Sequence, residues 1–113
     1  MAIRLKEFLA QEKTIEIEYL GETVTVSYKV NAFNTQFIND YYSPKWAEEH
    51  AGENRLDHQL SELITGWNLV DDAENPIPPS LAVIELLPLK LKEKIGKAMF
   101  AQSMDPGEDE KKG

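Results

Sequence analysis

The chain has 113 residues, a formal net charge of −8 and no cysteine. That length suits one domain with a modest core, and 42% hydrophobic residues are too many for a wholly disordered chain. The acidic balance argues against nucleic acid and against an anionic membrane surface as partners, and the missing thiols exclude disulfides, cysteine nucleophiles and thiolate metal sites.

No apolar run approaches the length of a membrane span, and no signal-peptide pattern opens the sequence. The expected location is therefore cytoplasmic, with no membrane partner. In chain order, Leu5, Phe8 and Leu9 have helical spacing and predict a short helix, while the alternation of Ile3 and Leu5 supports a strand instead. From Thr14 to Val30 the pattern changes to period two. Ile15, Ile17 and Tyr19 alternate with Glu16 and Glu18; Val24, Val26, Tyr28 and Val30 alternate with Thr25, Ser27 and Lys29. A two-residue turn at Gly21-Glu22 predicts a hairpin that pairs Tyr19 with Val24, Ile17 with Val26 and Ile15 with Tyr28, all on one apolar face. A lone hairpin is marginal in water, so that face must cover helices, and its edges stay available to another chain.

Asn34 suits the cap of a helix carrying Phe37, Ile38 and Tyr41, with Phe33, Phe37 and Tyr41 as an aromatic core stripe. Ser43-Pro44 ends that helix and starts another that holds Trp46. Ala51-Gly52-Glu53-Asn54 breaks the chain again. Leu56, Leu60, Leu63, Ile64 and Trp67 then fall on one helical stripe, so the spacing predicts an amphipathic helix from Arg55 that ends at Trp67, with Asp57 and Gln59 off the stripe. An acidic turn at Asp71-Asp72 follows, then a loop stiffened by Pro76, Pro78 and Pro79. Ser80 caps two turns from Leu81 to Leu87, and Pro88 opens a last helix. That helix presents Leu91, Ile95, Ala98 and Met99 on one face, flanked by Lys90, Lys94 and Lys97. Gly96 within it costs about 1 kcal/mol relative to Ala unless a close neighbour needs the space. The expected fold is α+β, an N-terminal two-stranded antiparallel β-hairpin packed against a mainly α-helical C-terminal part. Residues 1–102 form one domain, and residues 103–113 form a disordered acidic tail.

Candidate chemistry is sparse. His50 and His58 lie eight apart across a break without zinc-site spacing, so they read as surface or satisfied histidines. The stretch from Asp71 lacks the sixth-position glycine and the twelfth-position glutamate of a calcium loop, where Ala82 stands. Asp71 and Asp72 fit better as groups that shape a turn or cap amides. Glu48 with Glu49, and Glu16 with Glu18, have no base or nucleophile to work with and read as solvated faces. Lys90, Lys94 and Lys97 are the wet side of an amphipathic helix, or a docking strip for an acidic partner. No catalytic residue, cofactor or metal is expected, and the chain reads as an interaction protein.

The run Leu60-Ser61-Glu62-Leu63-Ile64-Thr65-Gly66-Trp67-Asn68-Leu69-Val70-Asp71-Asp72, then Asn75-Pro76-Ile77-Pro78 and Leu86-Leu87-Pro88, resembles the tail assembly chaperones of long-tailed bacteriophages (siphophages). Size, acidity and the tryptophan-aspartate-proline passage between helices all belong to the likeness. The family's acidic turn often carries a glycine, where Asn75 and its neighbours stand here. The resemblance implies a protein of the host bacterial cytoplasm that binds the tape measure protein, helps recruit tail-tube protein and forms homo-oligomers. It also implies a ribosomal frameshift near the end of the gene, for which codons of Glu110-Lys111-Lys112 can supply an unbroken run of adenines. The expected partner or self-association surface is Trp67, Leu69, Leu87, Leu91, Ile95 and Met99, offered as aliphatic grooves to an apolar helix, with many weak copies acting together. A rival reading is another phage or bacterial adaptor, such as a connector subunit or an acidic inhibitor.

Overall fold

In the computed structural model, which describes residues 2–104, the period-two stretch forms strands β1 (Glu12–Tyr19) and β2 (Glu22–Lys29). Their pairing is antiparallel, with Ile17 opposite Val24 and Ile15 opposite Val26. The turn residues are Leu20 and Gly21, not Gly21 and Glu22, and the pairing is slid by two residues from the expected one. Both turn residues have positive φ, 50° and 84°. This is the turn whose twist matches the right-handed twist of the strands. A slide of two keeps every side chain on its expected face, so the apolar pattern allows either turn.

The hairpin is not the whole sheet. Ile64–Trp67 forms a third strand, β3, giving the order β1-β2-β3, all antiparallel. The helix before it, α4 (Arg55–Leu63), therefore stops four residues short of its expected end. Ile64, Thr65 and Trp67 have side chains that suit a pleated surface, and the unpaired edge of β2 supplies backbone partners that a longer helix would leave unmet. A register shift at Ser27/Tyr28 lets β3 pair with both sides of that point.

Other helices precede, interrupt and follow the sheet in the chain. They are α1 (Leu5–Leu9), α2 (Thr35–Tyr41), α3 (Pro44–Glu49) and α5 (Leu81–Ile84), with α6 (Leu89–Met104) last. The expected caps are in place. Asn34, Ser43 and Ser80 side chains accept from the amides of Phe37, Trp46 and Val83, and Asn54 does the same for Asp57. Each cap is worth about 1 kcal/mol. α5 makes one turn and not two, and its carbonyls close into a further turn up to Leu87. Pro88 sits one position before α6, and its carbonyl accepts the first helical bond, from the Lys92 amide at 3.0 Å. The expectation of a disordered tail falls, from residue 105 onward, outside the described residues.

α6 packs across β1 and against α4, covering the inner face of the sheet. Val26, Tyr28, Leu60, Leu63, Ile84, Ile95 and Met99 are fully buried there. Gly96 lies where α6 passes α4: a Cβ on it would stand 3.0 Å from the Leu56 Cδ1 atom. The close neighbour that justifies a mid-helix glycine is thus present. Phe33, Phe37 and Tyr41 stack in sequence as an aromatic stripe, with Phe100 of α6 against Phe33 at 4.9 Å.

Candidate protein-binding surface

The passage from Trp67 to Ile77 is a built unit. Trp67 ends β3 opposite Val26, and its indole Nε1 donates to the Ile77 carbonyl at 2.6 Å. The Ile77 amide donates to the Leu69 carbonyl at 3.2 Å, Val70 bridges to Pro76, and the Asp71 amide donates to the Asn75 carbonyl at 2.9 Å. Inside this closure the Asp71 carboxylate accepts from the amides of Ala73 (2.9 Å) and Asn75 (3.0 Å). That is the amide-capping role expected of an aspartate in a turn. The one strained residue is Glu74, with φ of 64°. It adjoins Asn75, so the left-handed backbone that a glycine would suit falls one residue earlier than Asn75. Asn68 extends the sheet beyond β3. Its amide and side-chain carbonyl engage Thr25, and its side-chain NH2 donates to the Thr23 carbonyl at 2.9 Å.

The six residues expected to form an association surface do not come together on the outside. Trp67, Leu69 and Leu87 are half-buried. Leu91, Ile95 and Met99 are internal, at 4%, 0% and 0% exposure, in one cluster with Val26, Tyr28, Leu60 and Leu63. The stripe of α6 is the face turned to the sheet, and each such side chain gains about 1.5–3 kcal/mol by leaving water. They cannot also be presented to a partner. The exposed aliphatic residues of the C-terminal half are others. Leu86 (83%) and Leu89 (59%) flank Pro88 at the α5–α6 junction, and Val70 is open in the loop. Sequence reasoning passed over Leu86 and Leu89. Their signal was a pair of leucines off the α6 stripe, on either side of a proline that fixes the backbone.

A second exposed apolar patch is N-terminal. α1 buries none of its residues, and Ile3, Leu5 and Phe8 line one shallow depression. Asn31 holds α1 in place by donating to the Phe8 carbonyl and to the Gln11 side chain.

The histidines meet although the sequence separates them. His50 stacks on Trp46 at 4.4 Å, and His58 lies edge-on to both rings. His50 Nδ1 is within 3.0 Å of the Trp46 carbonyl, and His58 Nε2 is 2.7 Å from Glu53. Arg55 lies over Tyr42 and Trp46 and donates to the Tyr41 carbonyl. Each imidazole has one nitrogen in a hydrogen bond and a face or edge against an aromatic ring, which fits the reading as satisfied histidines. Below them the Tyr41 hydroxyl donates to Glu62 at 2.7 Å. Burial first, then that hydrogen bond and the negative charges of Glu62 and Asp40, raise the Tyr41 phenol well above its ordinary value.

Among the described residues no group of three or more His, Asp or Glu side chains is arranged to hold a metal ion, and no helix is long and apolar enough to cross a membrane. Comparison with protein-family models, curated proteins and solved structures finds no match to this chain.

Proposed function

We propose that this chain is a tail assembly chaperone of a long-tailed bacteriophage, which binds the tape measure protein and helps recruit tail-tube subunits around it. The observation that carries the reading is the Leu-Pro junction of the resemblance, Leu86-Leu87-Pro88, which offers Leu86 and, just beyond it, Leu89 to solvent. Two open leucines three positions apart offer apolar contact to a groove-binding partner. A tape measure protein exposes long apolar helical stripes that aggregate when bare. Several copies of a small acidic domain, each gripping through a few leucines, shield such a stripe by multivalency and keep it soluble by their charge. The association surface is accordingly Leu86, Leu87 and Leu89, in place of the α6 stripe.

The test is co-expression with a fragment of the tape measure protein encoded nearby, followed by light scattering on the eluted species. The expected result is a multi-copy complex that Leu86→Lys with Leu89→Lys dissolves. A strict monomer that ignores the fragment overturns the reading. The coding sequence gives a second check: an interrupted adenine run at Glu110-Lys111-Lys112, or no overlapping frame after it, removes the frameshift expectation.

A further inference from the structure

We propose that α1 of one copy packs antiparallel against α1 of a second copy about a two-fold axis. The inference goes beyond the tail-assembly reading: it names a self-association surface, and it is tested on the chain alone.

α1 has little of its own to keep it helical. It is five residues long, its N-cap residue Arg4 makes no side-chain cap, and none of its residues is buried. A helix this short depends on tertiary packing, because fixing the first turn costs more than its hydrogen bonds return. The chain supplies two anchors. Asn31 donates to the Phe8 carbonyl at 2.9 Å, and half-buried Leu9 shares a depression with Ala32 and Phe37. The other apolar side chains are open. Ile3 (76% exposed), Leu5 (70%) and Phe8 (43%) line one depression facing solvent. An apolar patch on an element that buries nothing marks an interaction site.

The charges beside that patch select a second copy. Arg4 and Glu7 form an i,i+3 pair at 3.8 Å, with side chains 83% and 71% exposed. Both lie to one side of the Leu5 and Phe8 strip, and exposed Lys6 is turned about 160° from Phe8. Antiparallel pairing centred between Leu5 and Lys6 sets Arg4 of each copy against Glu7 of the other. The same register brings Ile3 of each towards Phe8 of the other and places the two Leu5 side chains beside the axis. Charge and apolar contacts are thus met together, and symmetry repeats each of them, as a self-complementary two-fold contact requires. Parallel pairing sets Arg4 against Arg4 and Glu7 against Glu7, and is refused. The patch is small beside the roughly 800 Å² per partner of a standard interface, so the dimer is weak and grows with concentration.

The test is sedimentation equilibrium on the whole chain from micromolar to millimolar concentration, with amide exchange read in parallel. Salt of about 0.15 M screens the overall repulsion between two acidic copies. The expected result is a monomer–dimer equilibrium in which the Phe8 and Leu9 amides exchange at least about threefold more slowly as the dimer fills. Leu5→Asp abolishes the dimer. Arg4→Glu and Glu7→Arg each weaken it about tenfold, since each puts two like-charge pairs where attractive pairs stood. Both positions are exposed, so these variants melt as the parent does. Mixed one to one, the two variants regain the parental affinity, because each then meets its complement. Both keep a strongly negative net charge, so no overall attraction drives the mixing. A monomer at every concentration, a dimer that Leu5→Asp leaves intact, or a mixture no tighter than its components overturns the proposal. Slowed exchange at Phe8 and Leu9 only when the tape measure fragment is added assigns the patch to that partner and overturns it too. A dimer without co-elution of the fragment sinks the tail-assembly reading alone, and co-elution without a dimer sinks this inference alone.

Discussion

Lys92 Nζ donates to Asp57 Oδ1 at 2.8 Å, and with side chains 8% and 7% exposed the two form a buried ion pair that joins α6 to α4. Removing one partner strands the other charge in the core. Lys92→Met is expected to cost about 3–5 kcal/mol in urea unfolding, and Asp57→Leu a similar amount. The double variant recovers most of that loss, because two apolar groups of similar size replace two desolvated ions. A coupling energy near zero in this double-mutant cycle would show that the pair is not desolvated in solution.

Alkaline stability depends on Tyr41. Its ordinary value is 10.0, and burial with the Glu62 contact raises it in the folded chain. A raised value means that the folded state keeps a proton the unfolded state has lost. The contribution is complete below pH 10 and falls away as pH rises beyond it. Tyr41→Phe is expected to cost about 1 kcal/mol near neutrality and to flatten the fall in stability between pH 10 and 11.5 relative to the parent. Parallel curves for the two proteins would refute it.

Two turns carry a side chain where a glycine or asparagine belongs. Leu20 (φ 50°) is 86% exposed and packs against little, and Glu74 (φ 64°) is exposed in the acidic turn. Leu20→Asn and Glu74→Gly are each expected to stabilise by about 0.5–1 kcal/mol, seen as a higher denaturation midpoint with unchanged slope. A lower midpoint for Glu74→Gly would mean that the Asp71 turn has another backbone shape.

The Trp67 indole anchors the loop to the sheet. Trp67→Phe keeps the ring but loses the bond to the Ile77 carbonyl, at a cost of about 1 kcal/mol. Amide exchange at Ala73, Asn75 and Ile77 is expected to speed up well before that of Val26. Unchanged exchange at these three sites would detach the loop from the indole.

The parts of the fold that could be read in the sequence are those set by local chemistry. Asn34, Ser43 and Ser80 announce helix starts because a short polar side chain competes for free amides. The alternation from Ile15 to Tyr28 fixes which side chains share a face, but not the turn, since Leu20-Gly21 and Gly21-Glu22 give the same faces. β3 was hidden because Leu60, Ile64 and Trp67 also fit a helical stripe, and the decisive partner, the edge of β2, lies about forty residues earlier, beyond the reach of local propensity. The α6 stripe was visible while its occupant was not: apolar periodicity cannot say whether the facing surface is the chain's own sheet or another molecule. The Asp57–Lys92 pair left a trace that went unused. Lys92 falls between Leu91 and Ile95 on the α6 stripe and Asp57 beside Leu56 and Leu60, one opposite charge on each of two facing apolar strips.

The Tyr28 hydroxyl donates to the Met99 carbonyl at 3.4 Å, across 71 positions of chain. The roof of the hairpin thus leaves the ribosome well after the hairpin itself. Until α6 emerges, Ile17, Val24, Val26 and Tyr28 lack part of their cover, so the nascent chain passes through a sticky interval whose length is set by translation speed. A ribosome that pauses before Leu89 prolongs that interval, and one that hurries through to Ala101 ends it.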